Sequence, residues 1–111
     1  MSDDDQVFKA LADGTRRLLL DALHEAGGRS LGELEQVVAK QVQMSRFGVA
    51  KHLKVLEEAD LVIVRRKGRE KLHHLNPVPI RVLHDRWIDK YTSAHARALA
   101  DLKKELENGH E

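Results

Sequence analysis

Apolar residues recur along most of this chain at the spacing of helices packed on one side, with short polar or glycine-rich stretches between them. Val7, Phe8 and Leu11 mark a first short helix over residues 6–12. Asp13 is placed to cap a second helix that runs to Ala26 with Leu18, Leu19, Ala22 and Leu23 as its buried stripe, and Gly27-Gly28 closes it. Ser30 with Glu33 has the spacing of a capping box, and Leu31, Leu34, Val37 and Val38 turn inward from a third helix. A polar connector over residues 40–44 leads to Ser45, another capping residue, and to a fourth helix with Val49, Leu53 and Leu56 on its buried face. Arg46, Phe47, Ala50, Lys51 and Lys54 fall on the opposite face, which carries no acid until Glu57.

The periodicity then changes. Leu61 to Val64 and Leu72 to Leu75 read as two strands, joined by a charged tip centred on Gly68, which predicts a β-hairpin. Asn76-Pro-Val-Pro79 breaks the chain, and the next stretch without Gly or Pro predicts one last helix from about residue 80 to 107. Ile80, Leu83, Trp87, Tyr91, Ala94, Ala98, Leu102 and Leu106 stripe one side of it. Such a helix spans roughly 40 Å, more than the rest of a small domain can cover, so part of the stripe calls for a second chain. The expected subunit interface combines Val7, Phe8 and Leu11 with Leu83, Trp87, Tyr91 and Ala94.

The chain has 111 residues, enough for a single domain (1–111) with a mainly α core and a small two-stranded β-wing. Nineteen Lys and Arg against eighteen Asp and Glu leave a net charge of +1, so an acidic partner must be met by local clustering. That clustering exists: five of the seven residues from Arg65 to Lys71 are basic, namely Arg65, Arg66, Lys67, Arg69 and Lys71. Like charges this dense repel one another, and a hairpin needing only solubility would mix signs. Three short helices followed by a basic hairpin is the order of a winged helix-turn-helix, whose last helix before the hairpin enters the major groove of double-stranded DNA. Arg46, Phe47, Lys51 and Lys54 then stand where base-contacting residues belong, and the wing cations meet phosphates or the minor groove. Phe47 has two readings, contact with a thymine methyl or packing on the preceding helix.

Within this frame the sequence resembles the ArsR/SmtB family of small winged-helix repressors. The resemblance runs from Phe8 to Arg16, through Met44 to Val62 with Lys51-His-Leu-Lys-Val-Leu56 as its most specific part, to the wing from Arg65 to Arg69 and Leu75. It implies a homodimer joined through the first and last helices, bound to an inverted-repeat operator and blocking transcription. Departures are visible: Gly14 stands where Pro is common, Asp60 where Gly is common, and Gly48 and Ala50 where small hydroxyl residues recur. The connector before the fourth helix is about one turn longer than in the family, and His73 stands near a position usually aromatic.

Chemistry beyond DNA binding finds little support. Zero cysteine removes disulfides, thiolate metal sites and cysteine nucleophiles, and points to the cytoplasm. An acidic N-terminus and the lack of an apolar run of about 18 residues argue against a signal peptide or membrane span. His84 and His95 lie eleven residues apart on one helix face, a separation resembling the family's zinc-sensing pattern of Asp-x-His and His-x-x-Glu. Val82 and Ala98 occupy the carboxylate positions, so no metal or other cofactor is expected. A metal-responsive repressor using His84 and His95 is one alternative. Another is a winged helix serving as a protein-interaction or assembly module. No metalloprotease, nucleophile-elbow or phosphate-loop motif is present, and no enzymatic activity is expected.

Overall fold

Helices α1 (Asp3–Leu11), α2 (Gly14–Glu25), α3 (Leu31–Ala39) and α4 (Arg46–Glu58) precede a hairpin of β1 (Val62–Lys67) and β2 (Glu70–Leu75). A helix α5 (Val78–Leu83) and further helical segments follow, ending with α6 (Ala94–Asn108). The structure, a computed structural model, describes residues 3–92 and 94–109, and the side chains of Ala94 and His95 lie outside the description. The chain divides into two compact units, Met1–Ile80 and Arg81–Glu111.

In the first unit each helix end is closed by the residues the sequence supplies. Helix α1 starts three residues earlier than its apolar spacing suggests, because Asp3, Asp4 and Asp5 form a first turn that suits the positive end of the helix. Its last carbonyls are claimed by two arginines of α2. Arg16 Nε donates to Ala10 O at 2.8 Å and Nη2 to Lys9 O at 2.9 Å, while Arg17 Nη1 donates to Leu11 O at 2.6 Å. The Asp13 carboxylate caps α2 by accepting from the backbone N–H of Thr15 and Arg16 at 2.8 and 3.1 Å. Desolvation pushes the Asp13 carboxyl upward. The Arg16 N–H, the nearby His52 and the Arg16 charge outweigh it and hold the group below its ordinary range. The expected capping box forms at α3, with Ser30 N–H donating to Glu33 Oε1 and Glu33 N–H donating to Ser30 Oγ, and hydrogen bonding from the Ser30 backbone N–H and hydroxyl lowers the Glu33 carboxyl.

Helix α4 ends in a Schellman motif: Leu61 N–H reaches Leu56 O at 2.9 Å and Asp60 N–H reaches Glu57 O at 2.9 Å. Asp60 takes the left-handed conformation there with φ 62°, the role Gly usually fills. Leu56 and Leu61, the two side chains such a motif brings together, are both fully buried. They join Leu19, Leu34, Val38, Val49 and Leu53 in a core shared by α2, α3 and α4. On α2 the stripe includes Leu20 as well as Leu19, Ala22 and Leu23, while Leu18 is only half-buried.

The hairpin is antiparallel with Val62 opposite Leu75 and Lys67 opposite Glu70, leaving Gly68 and Arg69 as a two-residue loop. Gly68 adopts φ 65°, as the first position of such a loop requires. Arg29 adds one bridge on the far side of β2, pairing with His73.

The second unit corrects an expectation. The helix foreseen from about residue 80 to 107 is not continuous: α5 widens into a π-helical turn over His84–Ile88 and tightens into a 3₁₀ turn over Asp89–Tyr91. Thr92 is then extended, with φ −111° and ψ −167°. Both its N–H and its hydroxyl turn back to Asp89 O, at 3.2 and 3.0 Å, so the side chain competes for a carbonyl that a continuing helix would use. No described helix is long and apolar enough to cross a membrane.

Candidate nucleic-acid interface

Ser45 sets the start of α4, its hydroxyl accepting from Gly48 N–H at 3.1 Å. From there the apolar face of α4 faces the core and the opposite face remains open. Arg46, Phe47, Lys51 and Lys54 are all exposed on it, as the spacing predicts. The N-terminal turn of α3, the open face of α4 and one face of the hairpin enclose a groove of about 810 Å³. Arg46, Lys54, Arg66, Arg69 and Lys71 line it, against two acids, Glu57 and Glu70. Five cations around one concavity next to a helix end form an anion-attracting surface of the right composition for a nucleic-acid backbone.

The register separates the wing cations that sequence reading treated as one patch. Side chains alternate along a strand, so Val62, Val64 and Arg66 share a face, and Ile63, Arg65 and Lys67 share the other. Across the ladder Arg66 opposes Lys71, and Val64 opposes His73. The groove lining takes Arg66 and Lys71 from the strands and neither Arg65 nor Lys67, which the alternation assigns to the other face; Lys67 stands opposite Glu70 beside the loop, where the lining includes Glu70 as well. Like charges directly opposite cost hairpin stability, so the Arg66 and Lys71 pairing works against the hairpin that holds it.

His73 is buried to 4% exposure on the groove side of β2. Its backbone N–H and its Nδ1 both lie 2.9 Å from Arg29 O, and its carbonyl accepts from Gly28 N–H at 2.8 Å. A histidine can satisfy that carbonyl where an aromatic ring would only fill space, so His73 pins the wing to the turn before α3.

Phe47 is 71% exposed, which removes the reading that packs it on the preceding helix. The Lys51 ammonium lies 5.2 Å from its ring centroid one turn along α4, within cation–π range. Arg46 donates from Nε to Glu35 Oε1 on α3 at 2.9 Å. His52, on the flank of α4, lies 3.1 Å from Arg16 Nη1 and 3.9 Å from the Asp13 carboxylate, through Nδ1 in both cases. Glu35, His52 and His73 were absent from the sequence-derived site. For Glu35 the chain offered no local signal, since α3 carries a second acid, Glu33, and no basic residue.

The residues expected at a subunit interface separate into two groups. Val7 and Leu83 are 4% and 2% exposed, already buried within the chain, and have no surface left to offer. Phe8, Trp87 and Tyr91 are well exposed and Leu11 is half-buried. Lys90 Nζ sits 4.2 Å from the Trp87 ring and 5.3 Å from the Tyr91 ring. The Ala94 side chain lies outside the described residues.

For the metal reading, His84 Nδ1 lies 3.4 Å from Asp85, and the His95 side chain is outside the description. The His84 and Arg81 hydrogen bonds hold the Asp85 carboxyl below its ordinary range. Among the described residues no group of three or more His, Asp or Glu side chains could hold a metal ion.

Comparison with known proteins places this geometry. A helix-turn-helix domain family model matches residues 11–65. An uncharacterised HTH-type transcriptional regulator of Bacillus subtilis, YuzN, is 42% identical over 87 residues, covering 77% of this chain and 95% of that one. The transcriptional repressor SdpR of Bacillus subtilis is 34% identical over 70 residues, 63% of this chain and 72% of its own. The structure of an ArsR-like transcriptional regulator from Rhodococcus sp. RHA1 superposes with a TM-score of 0.66 at 29% identity, covering 92% of this chain and 91% of that one. With its helix order, its wing and these relatives agreeing, the chain belongs to the ArsR/SmtB family of winged helix-turn-helix transcriptional regulators.

Proposed function

We propose that this regulator is a homodimeric repressor that binds an inverted-repeat operator in double-stranded DNA, with both units of the chain serving one DNA-binding module. The observation that carries the reading is the groove in which the open face of α4 and one face of the wing bring five cations together. An α-helix fits the major groove and its N-terminal residues meet base edges first, which gives Arg46, Phe47 and Lys51 the reading role and Lys54 a flanking one. Arg66, Arg69 and Lys71 hold the adjacent phosphates, with Arg65 and Lys67 adding field strength from the outer face. Two-fold pairing of protomers is supported by the exposed apolar side chains, Phe8 on α1 beside the half-buried Leu11, and Trp87, Tyr91, Leu99, Leu102 and Leu106 farther along. Selection of bound duplexes from a random pool tests the whole reading. An enriched inverted repeat supports it. Recovery of no sequence preference, with binding that vanishes at moderate salt, would instead favour a protein-interaction module.

A further inference from the structure

We infer that Glu35 is a specificity-positioning residue, fixing the Arg46 guanidinium so that its terminal edge reads a single base pair of the operator. The inference rests on the DNA-binding reading above and concerns a residue on α3, outside the helix that enters the groove.

Arg46 is the first residue of α4, where a helix in the major groove comes nearest to base edges. Left alone, an arginine there sweeps many rotamers and serves any phosphate within reach. Here it is held. Its Nε donates to Glu35 Oε1 at 2.9 Å, and its Nη2 lies so close to α3 that a Cβ added to Gly32 would approach it to 3.4 Å. The guanidinium therefore lies against the first turn of α3, at ordinary van der Waals range from where a side chain at position 32 would begin. The Arg46 side chain remains 64% exposed while that of Glu35 is 29% exposed, so the carboxylate sits behind the guanidinium rather than in front of it.

The geometry of the ion pair matters as much as its existence. Glu35 occupies Nε, the one donor that cannot belong to the Nη1/Nη2 edge. That terminal edge presents two parallel N–H donors, the pattern that matches O6 and N7 of guanine. A carboxylate at this place also repels phosphates, so it lowers the attraction of Arg46 for DNA of any sequence. Both effects act in one direction: weaker general binding and stronger discrimination at one position.

The test uses the selected operator, a set of duplexes with each base pair changed in turn, and a scrambled duplex. Wild type, Arg46→Ala, Glu35→Ala, Glu35→Gln and the Arg46→Ala, Glu35→Ala double variant are compared on all of them. Thermal unfolding of each variant confirms that it is folded. Glu35→Ala is expected to flatten the preference at the same G·C pair that Arg46→Ala flattens, by about tenfold or more, the lower-middle range of a bidentate base contact. It should also bind the scrambled duplex at least as tightly as wild type. The double variant should lose no more discrimination than Arg46→Ala alone, since the two residues act through one contact. Glu35→Gln retains an oxygen acceptor for Nε and should keep most of the preference at that pair. A Glu35→Ala protein that changes all duplexes by one factor, or loses discrimination at a different pair from Arg46→Ala, overturns the assignment while leaving the regulator reading intact. Wild-type protein that prefers no duplex overturns both.

Discussion

The two faces of the wing make a quantitative prediction, because register alone separates two pairs of cations with equal charge. Arg66→Ala with Lys71→Ala removes two charges from the groove face, and Arg65→Ala with Lys67→Ala removes two from the outer face. If each groove-side cation neutralises one phosphate, the first change flattens the slope of log affinity against log salt by about 1.8 per protomer, at about 0.9 per contact. Over a fourfold rise from about 50 to about 200 mM salt, that difference amounts to a factor of ~12 per protomer. Two engaged wings in a dimer double the slope change. The outer-face double variant should shift the slope by well under half as much, since its charges act only through the screened field. Stability should move the other way. Arg66 and Lys71 oppose one another across the ladder, so removing them relieves repulsion and should leave the melting temperature unchanged or raised, whereas losing Lys67 gives up its pairing with Glu70. Fluorescence anisotropy on the operator at several salt concentrations, with thermal unfolding of each variant, makes both measurements. Equal slopes for the two double variants would refute the argument from register.

Other substitutions test other parts of the structure. Asp13→Ala should cost about 1 kcal/mol through loss of the α2 cap, measured by urea unfolding. Because the folded-state pKa of Asp13 lies below its ordinary 3.8, the charge-dependent part of its stabilisation is complete above that value and is lost as pH falls through the lowered one. Asp13→Asn, which keeps a cap without the charge, should therefore show a weaker loss of stability on acidification than wild type. Asp60→Gly should stabilise by about 1 kcal/mol, since the left-handed residue of the α4 terminus no longer carries a Cβ. Phe47→Ala should lower operator affinity, and among duplexes with each operator thymine replaced in turn by deoxyuridine, one should weaken wild type but not the variant, as expected of a methyl contact. Sedimentation at micromolar concentration should show a dimer that Trp87→Glu dissociates; a wild-type monomer would count against the proposed pairing.

Much of this architecture was legible because local rules and tertiary structure agree. The three capping residues Asp13, Ser30 and Ser45 sit where the apolar period begins, and each starts the helix expected of it. The open face of α4 followed from the positions of Val49, Leu53 and Leu56 alone. The long final helix is interrupted for a specific reason: absence of Gly and Pro permits a helix without enforcing one, and Thr92 turns its own N–H and hydroxyl back to Asp89 O. Val7 and Leu83 were misplaced because an apolar stripe does not distinguish surface reserved for a partner from surface covered by the chain's own residues. The division of the wing cations needed the strand register, which depends on where the two-residue loop falls. Glu35 and His73 act through contacts 11 and 44 residues away in sequence, beyond the reach of any local pattern.

The cluster of Asp13, Arg16 and His52 has a mechanical consequence. One arginine closes α1, touches the cap of α2 and meets a histidine on α4, so α4 is bolted to the junction of the two helices that open the chain. Tilting α4 by itself means breaking this junction and the core beneath it. Moving the whole first unit as a rigid block breaks neither. If two copies bind a paired operator as proposed, the adjustable quantity is the distance and angle between their first units, much as calipers measure by their opening and not by bending their points.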